Sequence, residues 1–514
     1  MKSADEIQQE NDSLKEIISA QDDAIKNKDS RIKILEAYIQ TLKQKQFGAS
    51  SEKLDAIQPD IFSDSGAEAD AEISMNEQET VIVAEHQRKT KRNSIPKELP
   101  RVDIIHDLPD AEKVCPHDGS ALKQIGAETH EQLDIIPAKI QVLNHIRLKY
   151  ACPCCEKYLI TANKPAQPIE KSIASPGLLA FIATQKYVDA MPLYRQIESF
   201  KRIGIELDRS TLADWMQKCG VLLQPLINLI HDHMLEQKYL HMDETIVQVL
   251  NEPDKAAQSQ SYMWVLRSTL PTCAAVLFHY EPTRSGAVPS LLLRDFGGAL
   301  MVDGYTGYNA VCANNGITRL GCWAHARRKF IEAQKVHRSA GRPKGKTGKA
   351  DQGLAYIQSL YRIEQTLSDK TICEKHSARQ QQARPILDKL KDWLEKSLPK
   401  TPPQTPIGKA LIYLHNQWPH LIRYLCDGDY PIDNNAAENA IRPFVVGRKN
   451  WLFSASQKGA TASANLYSLI ETAKANGVEP YAYLKKIFTE LPNANTLDQI
   501  EALLPWNCVA VSAE

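Results

Sequence analysis

Four short runs of β-branched and aromatic residues constrain the fold of this chain more than anything else in it. They are YLHMDETIVQVL from Tyr239, then SYMWVLRS, CAAVLFHYEP and GALMVDGYTGYNAV. Turn residues separate them, and VPSLLLRDF, which reads as a helix, precedes the last. Runs of this kind are strands, so the expected order is strand, strand, strand, helix, strand. The first carries Asp243, and the strand of the fourth run ends at Asp303. Carboxylates brought close repel and raise each other's pKa unless a cation neutralises them. A divalent-ion site is what makes such clustering tolerable. Glu244 is a rival to Asp243. Neighbours along a strand point to opposite faces, so only one of the two can face a shared site.

A third acid lies in PIDNNAAENAIRPFVVGRKNWLF, residues 431–453, which places Glu438 on a short helix with Arg442 one turn later and Lys449 beyond. The bland reading of Glu438 is an i,i+4 ion pair with Arg442, worth only ~0.2–0.5 kcal/mol. The sharper reading joins Glu438 to Asp243 and Asp303 as oxygen ligands of two divalent ions, as phosphoryl transfer needs. The ion is magnesium, with manganese as a substitute. The acids are far apart in the chain, so their spacing alone proves little. Between them, GCWAHARRKF puts His325, Arg327, Arg328 and Lys329 after a strand-like segment and before a helix, suited to a phosphate or the scissile strand. The run continues through RSAGRPKGKTGK, which has no apolar face to solvate around. His325, Arg327, Arg328, Arg442, Arg448 and Lys449 are therefore candidate DNA contacts. The alternative is that Trp323 and His325 are core residues and the cations a solvated face.

Lysine plus arginine and aspartate plus glutamate number 62 each, so no global field draws the chain to nucleic acid. Any such contact comes from local basic patches. The 11 cysteines are an odd number, several isolated in apolar runs, and MKSADEIQQEND has no apolar signal core. The chain reads as a reducing, cytosolic protein. No run approaches ~18 uncharged apolar residues, so no membrane span is expected.

Residues 7–42 keep a strict four-three apolar spacing. Asn11, Ile18, Ile25, Ile32 and Ile39 form the a series; Ile7, Leu14, Gln21, Lys28, Leu35 and Leu42 form the d series. Ile at a with Leu at d favours a parallel two-stranded coil, and Asn11 fixes its register. A single amphipathic helix folded onto its own chain is the alternative. The acidic and Ser/Ala-rich stretch that follows cannot order itself and reads as a tether, ending in the basic run RKTKR (88–92). Then come CPHDG at Cys115 and ACPCCEK, where Cys152 and Cys155 make half of a zinc-ribbon pattern. Asp118 stands where the other half would have its second cysteine. His117, Asp118 or Cys154 is open as the fourth zinc ligand. SPGLLAFIATQKYVDAMPLYRQIESFKRIGIELDRSTLADWMQKCG reads as three helices, with Pro192 at a helix start, Gly204 in a tight turn and Asp208 or Ser210 as a cap. Helix, Gly turn, helix is the helix-turn-helix pattern, and many plain helical subdomains share it.

DNNAAENAIRPFVVGRKNWLF followed by SLIETAKANGVEPYAYL resembles the signature around the last catalytic acid of the insertion-sequence-66 family of transposases. SEKL at 51, KYVDAMPLYRQ, RSTLADW, MDET, VDGYTGYN, WAHARRKF and LLPWN also resemble family motifs, in the same order. The resemblance covers nearly the whole chain, thinning in roughly 56–100 and 340–405. It implies a ribonuclease-H-like catalytic core, which the strand order also matches, and it selects Asp243 over Glu244 beside Asp303 and Glu438. The expected architecture is multidomain, α/β plus all-α. A coiled-coil dimerisation helix (1–46) and a linker (47–100) lead to a zinc module (101–165, Cys115, Asp118, Cys152, Cys155) and a helical DNA-binding segment (166–236). The catalytic core (237–335 and 428–490) is split by a basic, helical insertion (336–427), and a tail (491–514) follows. The implied activity is Mg-dependent DNA cleavage and strand transfer at the ends of a mobile element. An inactive DNA-binding regulator and a nuclease without strand transfer are the alternatives. Implied partners are element ends, target DNA, a second copy of the chain and accessory proteins of the same element. The implied location is the bacterial cytosol, at the nucleoid when bound to DNA.

Overall fold

The computed structural model describes residues 140–151, 159–164, 166–339 and 348–508, together with 102, 103, 120 and 132. The coiled-coil segment 1–46, the linker 47–100 and the zinc candidates Cys115, His117, Asp118, Cys152, Cys154 and Cys155 lie outside the described residues, as do residues 340–347. The chain forms two compact units. In the smaller, residues 67–162, β1 (Lys149–Ala151) pairs antiparallel with β2 (Leu159–Thr161). Arg147 Nε donates to the Ala162 carbonyl at 2.6 Å just beyond that ladder.

Among the described residues of the larger unit, four helices come first: α1 (Pro176–Tyr187), α2 (Leu193–Arg202), α3 (Arg209–Leu222) and α4 (Gln224–Leu235). Ser175 caps α1 by accepting from Leu178 N–H, and Pro192 stands at the start of α2. Gly204 turns the chain between α2 and α3 at φ +81°, a left-handed conformation that favours glycine.

A mixed sheet follows. β3 (Tyr239–Asn251), β4 (Gln260–Ser268) and β5 (Ala275–Glu281) form an antiparallel meander. After α5 (Ala287–Leu292), β6 (Ala299–Val302) docks parallel on the free side of β3. Then α6 (Tyr308–Asn314) leads to β7 (Thr318–Gly321), parallel to β6. The strand order is β5-β4-β3-β6-β7, so β3 and β6 are neighbours at the middle. Every residue of β6 is buried, as a strand covered on both faces requires.

β7 runs into α7 (Trp323–Ser339), which heads a second, all-helical core with α8 (Lys349–Thr366), α10 (Arg384–Ser397) and α11 (Pro406–Leu421), while the short α9 (Ile372–Ala378) has no buried residue. Trp323, Phe330, Ile357, Leu390 and Leu414 fill that core, and Trp323 Nε1 donates to the Leu421 carbonyl at 2.9 Å. The chain returns to the sheet through α12 (Asn435–Trp451), β8 (Ser454–Ser456) and α13 (Gln457–Ala475), and ends with α14 (Pro480–Glu490) and α15 (Leu497–Glu501). β8 pairs with the far end of β3. Among the described residues no helix is long and apolar enough to cross a membrane.

β5 is an outer strand, and α13 closes its edge with side chains. Ser468 Oγ accepts from Phe278 N–H at 2.7 Å, and Thr472 Oγ1 accepts from Val276 N–H at 3.0 Å. Asn476, just past the helix, donates to the Ala274 carbonyl at 2.7 Å. Positions four apart on a helix line up, and here they meet alternate residues of the strand. An open row of backbone groups, which would otherwise invite pairing with another chain, is thereby satisfied.

The opening helices meet this core where α3 crosses α13. A Cβ on Gly220 would lie 2.6 Å from the Ala462 Cα, and Asn465 donates to the Gly220 carbonyl at 2.9 Å. In an isolated helix Gly→Ala stabilises by about 1 kcal/mol. Here the contact is with backbone, so Gly220→Ala should instead destabilise by about 1–3 kcal/mol. Chemical denaturation of the two proteins checks the sign.

Candidate active site

The β3–β6 ladder pairs Tyr239 with Ala299, Leu240 with Leu300 and His241 with Met301. Two further steps along both strands bring Asp243 level with Asp303, which follows the last residue of β6. Strand alternation then sorts the neighbours of Asp243. His241 and Thr245 share its face, and both touch the α12 segment: His241 Nδ1 lies 3.0 Å from Asn434 Oδ1, and Arg448 donates to Thr245 Oγ1 at 3.2 Å. Glu244 points the other way, where Arg284 Nε (2.7 Å) and the Tyr308 hydroxyl (2.5 Å) bind its carboxylate. The rival acid is thus held by partners of its own.

Glu438 sits in the first turn of α12 with its side chain 5% exposed. Its carboxylate is held from outside its own helix by Arg328 of α7, whose guanidinium donates to both carboxylate oxygens at 3.0 and 3.3 Å. His325 Nδ1 stands 3.5 Å from Glu438 Oε1 and is buried without a hydrogen-bond partner. Cys322 Sγ completes the group: one ligand atom each from Cys322, His325 and Glu438 lie within 4.8 Å of one another.

The electrostatics report the same convergence. Burial, first, and then the negative charges of Glu244, Asp303 and, more weakly, Glu438 push the Asp243 carboxyl well above the usual carboxylate range. Glu438 is also raised, by burial first; Arg328 pulls it back down, and Asp433 and Asp303 push it up. His325 is lowered to about 4, by burial and then by the Arg328 charge, so it is neutral at pH 7. Two carboxylates whose surroundings disfavour ionisation, Asp243 and Glu438, beside an imidazole nitrogen with no partner, fit divalent cations by their donor chemistry.

The other sequence candidates are spread more widely. Glu438, Arg442 and Lys449 share one face of α12 by helical spacing, and Arg442 and Lys449 are exposed. Arg448 is half-buried against β3. Arg327 lies where its charge acts on Tyr361, whose hydroxyl donates to Asp433 at 2.8 Å. Three residues that the sequence reading passed over also belong here. Asn434 is wholly buried between β3 and α12. Cys322 accepts from Asn434 N–H at 3.2 Å. Tyr413 packs so close to Gly304 that a Cβ there would lie 2.8 Å from its ring. The Asn-Asn pair before Glu438 was the available signal for the first; only the fold reveals the other two.

Asp243 yields a pH prediction. Its folded-state pKa lies above that of the unfolded chain, near ~3.9. The stability contributed by its protonated form is complete below that value and is lost as pH rises through the raised one. Metal-free protein should therefore lose stability from about pH 4 towards neutrality. Asp243→Asn should flatten that part of the profile and melt higher at pH 7, by about 2–4 °C for each 1 kcal/mol of repulsion relieved. Melting curves across pH, with chelator present, check it.

Comparison with known proteins places the chain in a family. Residues 171–462 match the profile described as Transposase IS66 family, and 468–506 match the IS66 C-terminal element. Residues 112–156 match the zinc-finger binding domain of transposase IS66, and 34–104 match Transposase C of IS166 homeodomain. The chain is 31% identical over 491 residues to the uncharacterized protein y4jD of Sinorhizobium fredii, covering 92% of this chain and 94% of that one. It is 31% identical over 500 residues to the uncharacterized protein y4qI of the same organism, covering 94% and 90%. With a profile spanning more than half of its length and relatives matched almost end to end, the chain belongs to the IS66 family of transposases.

Proposed function

We propose that this protein is a DDE-type transposase that cuts DNA at the ends of its element and joins them to a target, with Asp243, Asp303 and Glu438 as the catalytic acids. The observation that carries the reading is the parallel β3–β6 register, which brings Asp243 level with Asp303 on the face of β3 that meets the Glu438 helix. The order β5-β4-β3-β6-β7, with three antiparallel strands followed by two parallel ones, supports a ribonuclease-H-like core. Family membership supports DNA as the substrate and a divalent metal as the cofactor. Magnesium is the proposed ion.

Phosphoryl transfer asks little covalent chemistry of protein groups, and positioning with charge stabilisation does most of the work. Two divalent ions, when bound, supply positive charge to the attacking and leaving oxygens. Asp243 and Asp303 hold one side of that site from the rigid sheet, and Glu438 holds the other from α12. Arg442 and Lys449, exposed on the Glu438 face, hold backbone phosphates beside it. Arg327 and Arg448 extend that track, and His325 and Arg328 stand next to Glu438. In the first step water adds to the phosphorus at the element end, and the P–O3′ bond breaks to free a 3′-hydroxyl. In the second that hydroxyl adds to a target phosphorus, and the target P–O3′ bond breaks. The 1–46 coil pairs two copies, the 112–156 module binds zinc through Cys115, Asp118, Cys152 and Cys155, and α1–α3 contact the element end.

Two experiments test this. Incubation with end-bearing DNA and Mg²⁺, scored for nicked and joined products, should give both. Glu438→Gln, Asp243→Asn and Asp303→Asn should each lose several orders of magnitude of both products while still shifting the DNA in a gel, because charge stabilisation at the site goes but the binding segments stay. Nicking without joining would make the protein a nuclease, and shifting without either a regulator. Separately, elemental analysis should find one zinc per chain, released by Cys152→Ser with weaker end binding. A folded, zinc-free wild type would remove the metal from the module.

A further inference from the structure

Asn434 is fully buried, and each of its polar groups is engaged. Its Nδ2 donates to the Met242 carbonyl at 3.0 Å. That carbonyl only accepts, so the amide orientation is fixed. Oδ1 then faces His241, which donates from Nδ1 at 3.0 Å. The main-chain N–H of Asn434 donates to Cys322 Sγ at 3.2 Å, at the junction of β7 and α7. Its main-chain carbonyl accepts from Ala437 N–H and from Glu438 N–H, both at 3.1 Å. Asn at the head of a helix ordinarily caps it by accepting from the N–H of the second or third residue. Here the side chain makes no such bond; it is spent on β3 instead.

The consequence is a short, rigid path. Met242 C=O belongs to the peptide whose nitrogen is that of Asp243, and Asn434 joins that peptide to the amide of Glu438. We propose that Asn434 is the positioning residue that sets the separation of Glu438 from Asp243 and Asp303, and through it the affinity of the site for divalent ions. The inference rests on the reading of these acids as metal ligands. Among the described residues no other side-chain hydrogen bond ties α12 to the strand segment just before Asp243: the Arg448–Thr245 bond lies beyond it, ten residues further along α12 than Glu438. Loss of the Asn434 amide leaves the first turn of α12 free to shift, and shifts of about 1 Å at such sites cost about 10²-fold in rate. Residues that orient metal ligands through hydrogen bonds carry about 10–100-fold in metal affinity.

The test uses the full chain, with Asn434→Ala, which removes both side-chain bonds, and His241→Leu, which removes only one. Mn²⁺ affinity is read from the free-ion paramagnetic resonance signal, alongside the Mg²⁺ midpoint of end cleavage, gel shift with element ends and thermal unfolding. Asn434→Ala should bind Mn²⁺ about 10–100-fold more weakly, move the Mg²⁺ midpoint up by a similar factor, recover part of its cleavage at high Mg²⁺, and bind ends as wild type does. His241→Leu should fall between. A merely structural loss would lower the active fraction without moving either metal midpoint. A folded Asn434→Ala with wild-type Mn²⁺ affinity overturns the proposal, and if that variant does not fold, an unchanged midpoint in His241→Leu overturns it. Wild type that binds Mn²⁺ but never cuts DNA would sink the proposed function alone, since the Mn²⁺ arm still judges Asn434. Wild type that binds no Mn²⁺ overturns both.

Discussion

Negative charge crowded into a buried corner is what the rest of this structure has to accommodate. Asp243 lies beside Asp303 and Glu244, within reach of Glu438, and burial strips most of the water that would screen them. A flexible scaffold would relax by letting the acids swing apart. This one holds them on its least mobile parts: a central strand paired on both sides, a wholly buried neighbour, and a helix tied down at its first turn. The charges that offset the crowding are local. Arg284 takes Glu244 on one face of the sheet, and Arg328 takes Glu438 on the other. Each guanidinium is at the rim, so the inner carboxylates keep their mutual repulsion. On the proposed reading, that repulsion is what favours cations there.

The two larger hydrophobic cores divide the labour. The larger packs the opening helices, the sheet, α12, α13 and α14 together, with Gly220 against Ala462 and a hydroxyl-lined helix sealing the edge of β5. The smaller is all-helical and built on α7. It is joined to the sheet at the β7–α7 junction, where Cys322, Trp323 and His325 stand within a few residues, and again where α11 runs through residues 422–434 into α12. Trp323 N–H donates to the Ile432 carbonyl at 3.2 Å, and its indole reaches Leu421. The helical core therefore grips both ends of the segment that delivers Glu438.

Much of this was legible before any coordinates, and the reasons are specific. Strand runs with acids at defined places predicted β3 through β6 and put Asp243 and Asp303 on neighbours, because alternation and turn residues are local signals. The three helices after Ser175 and the left-handed Gly204 were legible for the same reason. What failed to show was long-range. Arg442 was the obvious partner for Glu438 because helical spacing is visible in a sequence, whereas Arg328, more than a hundred residues away, is not. Asn434 drew no reading of its own, and the Asn-Asn pair before Glu438 does not say that its amide faces a strand nearly two hundred residues earlier. Tyr413 against Gly304 and Cys322 against Asn434 are likewise contacts between elements that only the assembled fold brings together.

Arg328 links these observations. Read from sequence, it belongs to a basic run suited to phosphate; in the folded chain it clasps the carboxylate of Glu438. The two roles follow from one property. A planar guanidinium binds carboxylate and phosphate in the same forked manner, and about a third of this side chain is open to solvent. On the proposed reading, a cation arriving at Glu438 competes for the oxygens Arg328 now holds, and a phosphate arriving with it offers the same oxygen pair a short distance away. Exchange of one acceptor for the other then costs little, since neither state leaves the guanidinium unpaired. The neutral His325 beside it adds no competing positive charge at pH 7. On that same proposed reading the acid is kept neutralised and in place until its ligand comes, and the next partner of Arg328 is the substrate.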